Sequence, residues 1–154
     1  MAKKIDEEFN QECIDEHNRL RALHGCPPLV LDRELAAGSQ AYAEKLVKSS
    51  KMKHSGSHEY GENLAHRGST SATQMTGKEA TEYWYEEIKK CHYIGRMEHG
   101  CGHFTQVVWK STTSAGFGRA LSKDKKQVFV VGRYKPPGNV SGHFTENVPR
   151  PTEA

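Results

Sequence analysis

Positions Ile5, Phe9, Cys13, His17 and Leu20 recur every three to four residues, the spacing of one helix face, and Gly25 followed by Pro27 and Pro28 supplies a stop. A first helix is expected there. Asp32 is placed to cap a second, whose stripe runs Leu35, Ser39, Tyr42 and Leu46 and whose last turns carry Lys45 and Lys48, cations that suit a helix C-terminus. From 49 to 74 the chain is polar and glycine-rich, which reads as irregular with one short strand near 61–65. Thr76-Gly77-Lys78-Glu79 has the form of a capping box and opens a third helix to about Lys90, with Ala80, Tyr83, Trp84 and Ile88 on its apolar face. Residues 115–121 and 127–134 then read as two strands joined by the charged turn 122–126, a hairpin. Beyond Pro136 the pattern is Pro/Gly-punctuated coil, extended at Pro149-Arg150-Pro151.

One position breaks this pattern. Glu87 lies three residues after Trp84 and seven after Ala80, so helical geometry turns its carboxylate toward the apolar face. Helices first, strands late and no βαβ alternation predict an α+β domain with an antiparallel sheet covered by helices. At 154 residues without a linker the chain is read as a single domain, 1–154, with its core at about 5–148 and a short extended tail.

Charge and targeting signals narrow the function classes. The 22 basic and 19 acidic residues are interspersed and leave a formal net charge of +3, so no nucleic-acid partner is expected. Met1-Ala2-Lys3-Lys4 leads into Ile5-Asp6-Glu7-Glu8 without an apolar segment, so neither a signal peptide nor a membrane span is expected. A cytoplasmic, reducing setting follows, and Cys13, Cys26, Cys91 and Cys101 are expected as free thiols. Cys13 is a packing residue on its helix face. Cys91 and Cys101 bracket a loop and are the pair to test first.

Candidate chemistry centres on histidine. His103 stands in Gly102-His103-Phe104-Thr105-Gln106-Val107-Val108-Trp109, beside a glycine and ahead of an apolar run, as an oriented structural group or a site residue. Ser55 follows His54, but neighbours on a strand point to opposite sides, so adjacency makes no dyad and Ser55 reads as loop structure. His58, His66, His92, His99 and His143 have no patterned acidic partner and read as exposed or locally bonded. His17, Asn18 and Arg21 read as an interhelix hydrogen-bond set. Asn63 and Asn139 read as satisfying loop backbone groups.

Four segments resemble one family. His17-Asn18-Arg19-Leu20-Arg21, Gly61-Glu62-Asn63-Leu64, the run from Gly102 to Trp109, and the stretch with Arg133-Tyr134 and Gly138-Asn139 occur in the order of the CAP superfamily motifs. That superfamily comprises the cysteine-rich secretory, antigen 5 and plant pathogenesis-related proteins. Thr76-Gly77-Lys78-Glu79 before Trp84-Tyr85 looks most like its intracellular Golgi-associated branch. The resemblance implies a three-layer α-β-α sandwich with a central antiparallel sheet and a surface cleft. It also implies a place on cytosolic faces of Golgi membranes, although an extracellular place fits the wider family. Gly132 stands where secreted members carry a disulfide cysteine, which suits a reduced chain. Ala2 stands where the branch carries a myristoylated glycine, which argues against that lipid.

Carried over residue by residue, the cleft would join His54 and His103 with Glu62 and Glu87. Such a set can bind a divalent metal such as Zn²⁺, with the histidines as ligands and the glutamates as ligands or as orienting groups. It can also do acid-base work, or brace distant loops. The loop carrying Tyr93, Ile94 and Met97 corresponds to a region associated with sterol binding in some members, and a sterol or fatty acid is a candidate ligand there. The plain alternative is that Tyr93 and Ile94 pack on the core. The expected function is a non-enzymatic module for anionic phospholipid membranes, with a homodimer as a compatible partner state. The alternative is a metal-assisted, protease-like hydrolase using the His/Glu set, against which the missing nucleophile weighs.

Overall fold

A computed structural model describes residues 4–152. The first helix, α1, spans Glu7–Leu23 and is capped by the Asp6 side chain, which accepts the amide of Phe9. Its buried face of Phe9, Cys13, His17 and Leu20 is the predicted stripe. A two-residue strand, β1 (Val30–Leu31), precedes α2 (Arg33–Ser49), which is capped by Asp32 as expected. Strand β2 (Gly61–Gly68) runs three residues beyond its predicted end. The capping box at Thr76 and Glu79 is fully formed and opens α3 (Gly77–Tyr85), after which the chain tightens into a 3₁₀ turn over Glu86–Lys90. Helix α4 (Gly102–Val108), strands β3 (Ser114–Leu121) and β4 (Gln127–Lys135), and the short α5 (Phe144–Asn147) complete the order.

The fold is α+β, and among the described residues its sheet has four strands in the order β1-β3-β4-β2. The β3-β4 and β4-β2 pairs are antiparallel, while β1 adds a short parallel edge beside Ser114 and Ala115 that the antiparallel expectation did not include. Strand β4 is buried on both faces, which its Val/Phe-rich run anticipates. On one face Val128, Val130 and Tyr134 join Phe9, Trp84, Phe104 and Phe117 under α1, α3 and α4. On the other, Phe129 and Val131 meet Ala43, Leu46 and Leu64 under α2. These are the three expected layers.

Close approach of α2 to the sheet depends on glycine. A Cβ on Gly116 would stand 2.1 Å from the Ala36 backbone nitrogen, and one on Gly118 would stand 2.3 Å from that of Gln40.

Several expectations are corrected. Tyr83 is 53% exposed, because the face fixed by Ala80 and Trp84 leaves it on the helix flank. Helix α5 interrupts the tail read as coil. Cys91 and Cys101 are joined in a disulfide, not held as free thiols, because the loop between them folds back and brings their Cα atoms to 5.9 Å. Cys13 and Cys26 are free and buried. Residue 2 lies outside the described residues.

Candidate functional site

Helix α4 positions the central histidine, and both of its ends are tied by residues remote in sequence. At the C-terminal end the fully buried Arg21 donates to the carbonyls of Val107 and Trp109 at 3.0 and 2.9 Å. It also donates to Pro27 and Thr112, so a buried cation is solvated by four backbone oxygens. The cation complements the partial negative charge of the helix C-terminus. At the N-terminal end no side chain of α4 caps it. Glu87 does so from the 3₁₀ turn: Oε1 accepts the amides of His103 at 2.8 Å and Phe104 at 3.2 Å. Its other oxygen takes the imidazole of His103, Nδ1 to Oε2, at 2.7 Å. The carboxylate that breaks the apolar pattern of α3 therefore serves as both a helix cap and an imidazole anchor. Burial alone would raise the Glu87 carboxyl, but the hydrogen bond and charge of His103 and the two amides outweigh it and hold it below its usual range.

A second pair forms at the start of β2. His54 Nδ1 lies 3.0 Å from Glu62 Oε1, which also accepts the Ser55 amide at 2.9 Å. Glu62 Oε2 accepts the Ser55 hydroxyl at 2.9 Å and Arg133 Nε at 3.1 Å. Arg133 is held in turn over the rings of Tyr60 and Tyr42, 4.4 and 5.1 Å from their centroids. Burial would raise the Glu62 carboxyl, yet this ring of donors brings it down to about 2. Ser55 therefore lies in a loop, as expected, with its hydroxyl turned to Glu62 and Tyr60.

The four family-implied residues thus form two carboxylate–imidazole pairs. No three of their ligand atoms lie within 4.8 Å of one another. The neighbouring Asn63 links the pairs, its amide donating to the His103 carbonyl at 3.1 Å and to the Tyr134 hydroxyl at 3.3 Å. An ionised glutamate can only accept, so in the neutral ring of each histidine the proton sits on Nδ1 and Nε2 keeps its lone pair. Neither Nε2 has a hydrogen-bond partner among the described residues. By its chemistry, a neutral imidazole held from behind by a carboxylate is the kind of donor a metal such as Zn²⁺ takes, with the carboxylate orienting the ring. The carboxylates fit less well as ligands, because each Glu62 oxygen already accepts two donors and Glu87 Oε1 accepts two, which fills the lone pairs of those oxygens.

The remaining histidines divide by surroundings. His17 is buried between α1, α3 and β4, with Nδ1 2.8 Å from the Cys13 carbonyl and Nε2 2.7 Å from the Tyr134 hydroxyl. Burial takes it down to about 3. Asn18 exchanges hydrogen bonds with the Leu29 backbone, so the three motif residues tie α1 to different parts of the molecule. His24, not singled out in the sequence, is a buried link between the Pro149 carbonyl and the Tyr85 hydroxyl. His92 and His143 do have acidic partners, Glu98 and Glu146, made adjacent by local turns that carry no periodic signal. Asn139 donates to the Gly102 carbonyl and helps fix the start of α4.

The loop from Cys91 to Cys101 borders a cavity of about 200 Å³ lined by Tyr93, Ile94, Arg96, Phe144, Val148 and Arg150 among others. Tyr93 packs edge-on against Phe104, with the Arg150 guanidinium 4.7 Å from its ring centroid. Its hydroxyl is enclosed without a hydrogen-bond partner among the described residues. Ile94 and Met97 are 49% and 48% exposed, so the packing alternative holds for Tyr93 but not for Ile94.

Comparison with known proteins agrees with this architecture. Residues 14–134 match the model of the family described as CAP, the cysteine-rich secretory protein family. The human Golgi-associated plant pathogenesis-related protein 1 is 40% identical over 154 residues, covering 96% of this chain and 97% of that protein. Pathogenesis-related protein 1A of Nicotiana tabacum is 38% identical over 86% of this chain and 77% of its own length. Repressed by EFG1 protein 1 of Candida albicans is 39% identical over 93% of this chain but only 54% of its own length, so there the match is part of a longer protein. Among solved structures, BmVAL-1 superposes with a TM-score of 0.80 at 19% identity, over 99% of this chain and 86% of that one. NaASP2, solved with Zn²⁺, gives 0.68 at 23% identity over 97% and 88%.

Proposed function

The chain belongs to the CAP family of cysteine-rich secretory proteins, and from that premise we propose that it is a non-enzymatic binding module that docks on anionic phospholipid membranes. The observation that carries this reading is the composition of the 91–101 loop. Ile94 and Met97 stand exposed on either side of the exposed Arg96, with Lys89 and Lys90 exposed just before it. Apolar side chains flanked by cations suit an interface where the former enter the acyl boundary and the latter meet anionic headgroups. The adjoining cavity, with Arg96 and Arg150 among its lining residues, supports a role for a fatty acid or sterol tail. Among the described residues no helix is long and apolar enough to cross a membrane, so the contact proposed is peripheral. The human relative named Golgi-associated supports placing that membrane in the secretory pathway.

The cleft contributes a second binding capacity. With both Nε2 lone pairs free, His54 and His103 would hold a divalent ion such as Zn²⁺, a role that the zinc-containing NaASP2 structure supports for this fold. The same geometry weighs against hydrolysis, since the Ser55 hydroxyl is hydrogen-bonded to Glu62 and not to an imidazole.

Liposome flotation tests the membrane reading. Binding to vesicles containing phosphatidylserine is expected to fall several-fold between low and physiological salt and to be weak on neutral vesicles. Replacing Ile94 and Met97 together with serine should remove it with the fold intact by circular dichroism. Equal binding to both vesicle types, or none to either, would sink the proposal.

A further inference from the structure

The disulfide loop holds a second set of metal-ligating atoms, separate from the histidine cleft. The sulfurs of Cys91 and Cys101 and a carboxylate oxygen of Glu98 lie within 4.8 Å of one another. Glu98 is already fixed: it accepts the His92 amide at 2.7 Å and His92 Nδ1 at 2.8 Å. An oriented carboxylate facing two sulfurs is the arrangement in which a histidine supports a ligand from behind. The cavity beside the loop is lined by all three of these residues, so there is room for the sulfurs to part.

We propose that this loop, once reduced, is a zinc site with the thiolates of Cys91 and Cys101 and the Glu98 carboxylate as protein ligands, His92 orienting the carboxylate. Two sulfurs and an oxygen favour Zn²⁺ over the hard cations, which take oxygen alone. A fourth position is left for water. The disulfide and the metal site are alternative states of the same two sulfurs. A small dithiol breaks the S–S bond, leaving two thiols on the loop and departing as its own disulfide. Zn²⁺ binding then releases two protons to solvent and forms two Zn–S bonds. Cys13 and Cys26 do not compete: burial raises both thiols, which keeps them protonated. The site would let the membrane-facing loop exchange a covalent clamp for a metal clamp as redox conditions change, and its chemistry does not depend on whether a membrane is bound.

Cobalt(II) is the probe, added to the full chain after reduction and removal of reductant. One equivalent should produce a thiolate-to-cobalt charge-transfer band in the near ultraviolet, and Zn²⁺ should abolish it. The oxidised protein should show no such band. Cys91→Ser should remove it, Glu98→Gln should weaken cobalt binding by about tenfold or more, and His103→Ala should leave it unchanged, which separates this site from the cleft. Should Cys91→Ser fail to fold, alkylation of the reduced wild type read by mass spectrometry serves instead, with Zn²⁺ slowing modification of Cys91 and Cys101 at least tenfold. A natively folded, reduced protein with no charge-transfer band, a band that survives Cys91→Ser, or alkylation rates indifferent to Zn²⁺ would each overturn the proposal.

Discussion

His17 and His103 both belong to family motifs and both commit Nδ1 to an oxygen acceptor, yet their second nitrogens differ. His17 gives Nε2 to the Tyr134 hydroxyl and is buried completely, so both of its ring nitrogens are in use. His103 is anchored by Glu87 on one side, is 31% exposed, and has a lone pair to spare. The same division runs through the neighbouring residues. Arg21 and His17 are used up in holding elements together, whereas His54 and His103 are held so that something remains. His17 and Arg21, with every polar atom partnered, hold elements together, whereas His103 keeps one nitrogen free, as the proposed ligand role requires.

The largest effects should come from the side that is used up. Arg21→Met preserves most of the volume but strips four carbonyls of their donor, three of them in buried bonds and two at the C-terminal end of α4. A loss of about 3–5 kcal/mol in urea unfolding is expected, with the His103 environment disturbed although it lies at the other end of the helix. A loss below about 1 kcal/mol would blur the proposed division.

The pH dependence of stability sharpens the comparison next. His17 falls from its ordinary 6.5 to about 3 in the folded state because burial disfavours its charge. Between these values the unfolded chain binds the proton and the folded chain does not, so stability is full above pH 6.5 and declines as pH falls. The slope is about 1.4 kcal/mol per unit, giving a loss on the order of 2 kcal/mol from pH 6.5 to 5. His24, lowered by burial, acts in the same direction. Glu62 shifts in the same direction, from 4.5 to about 2, because its donors favour the charged form, so its contribution is present above 4.5 and is lost only as pH falls below that value. His17→Gln should therefore flatten the decline between pH 6.5 and 5 while leaving the acid limb in place.

How much of this was readable in advance depends on where the determinants sit. Helices α1, α2 and α3 carry their own stripes, and the caps of α2 and α3 at Asp32 and Thr76 are legible from local pattern, whereas the Asp6 cap of α1, although local, was not read. Helix α4 was not, because its N-terminal cap comes from Glu87 and its C-terminal partner from Arg21, 86 residues from Val107. Periodicity found Glu87 as an anomaly and could not find the amides it serves. The pairing of Cys91 with Cys101 was likewise out of reach, since it depends on a loop that doubles back without regular structure. The four-residue cleft came from family resemblance alone, and only coordinates separate it into two pairs.

Glu87→Gln probes the junction between the two classes, since this carboxylate both caps α4 and anchors the imidazole. Neutralising it weakens three hydrogen bonds to a charged acceptor on a side chain 19% exposed, for an expected cost of about 1–2 kcal/mol. If His103 is a zinc ligand, zinc affinity by calorimetry should also fall roughly tenfold or more. An unchanged affinity would assign Glu87 to capping only.

The smallest structural effect and the clearest functional one are expected at His54. Its side chain is 59% exposed, and its partner Glu62 keeps Arg133 and both Ser55 donors after the imidazole is gone. His54→Ala should therefore change unfolding free energy by less than about 0.5–1 kcal/mol, as for other solvent-screened pairs. A brace between distant loops predicts the reverse weighting, with a stability loss above about 2 kcal/mol and no ligand effect. Because the spare Nε2 is what distinguishes His54 from His17, calorimetric titration with Zn²⁺ decides between them. Loss of binding in His54→Ala and in His103→Ala, with both folds intact, makes the leftover nitrogens the site; zinc binding that survives both substitutions would leave His54 and His103 as ordinary surface ion pairs.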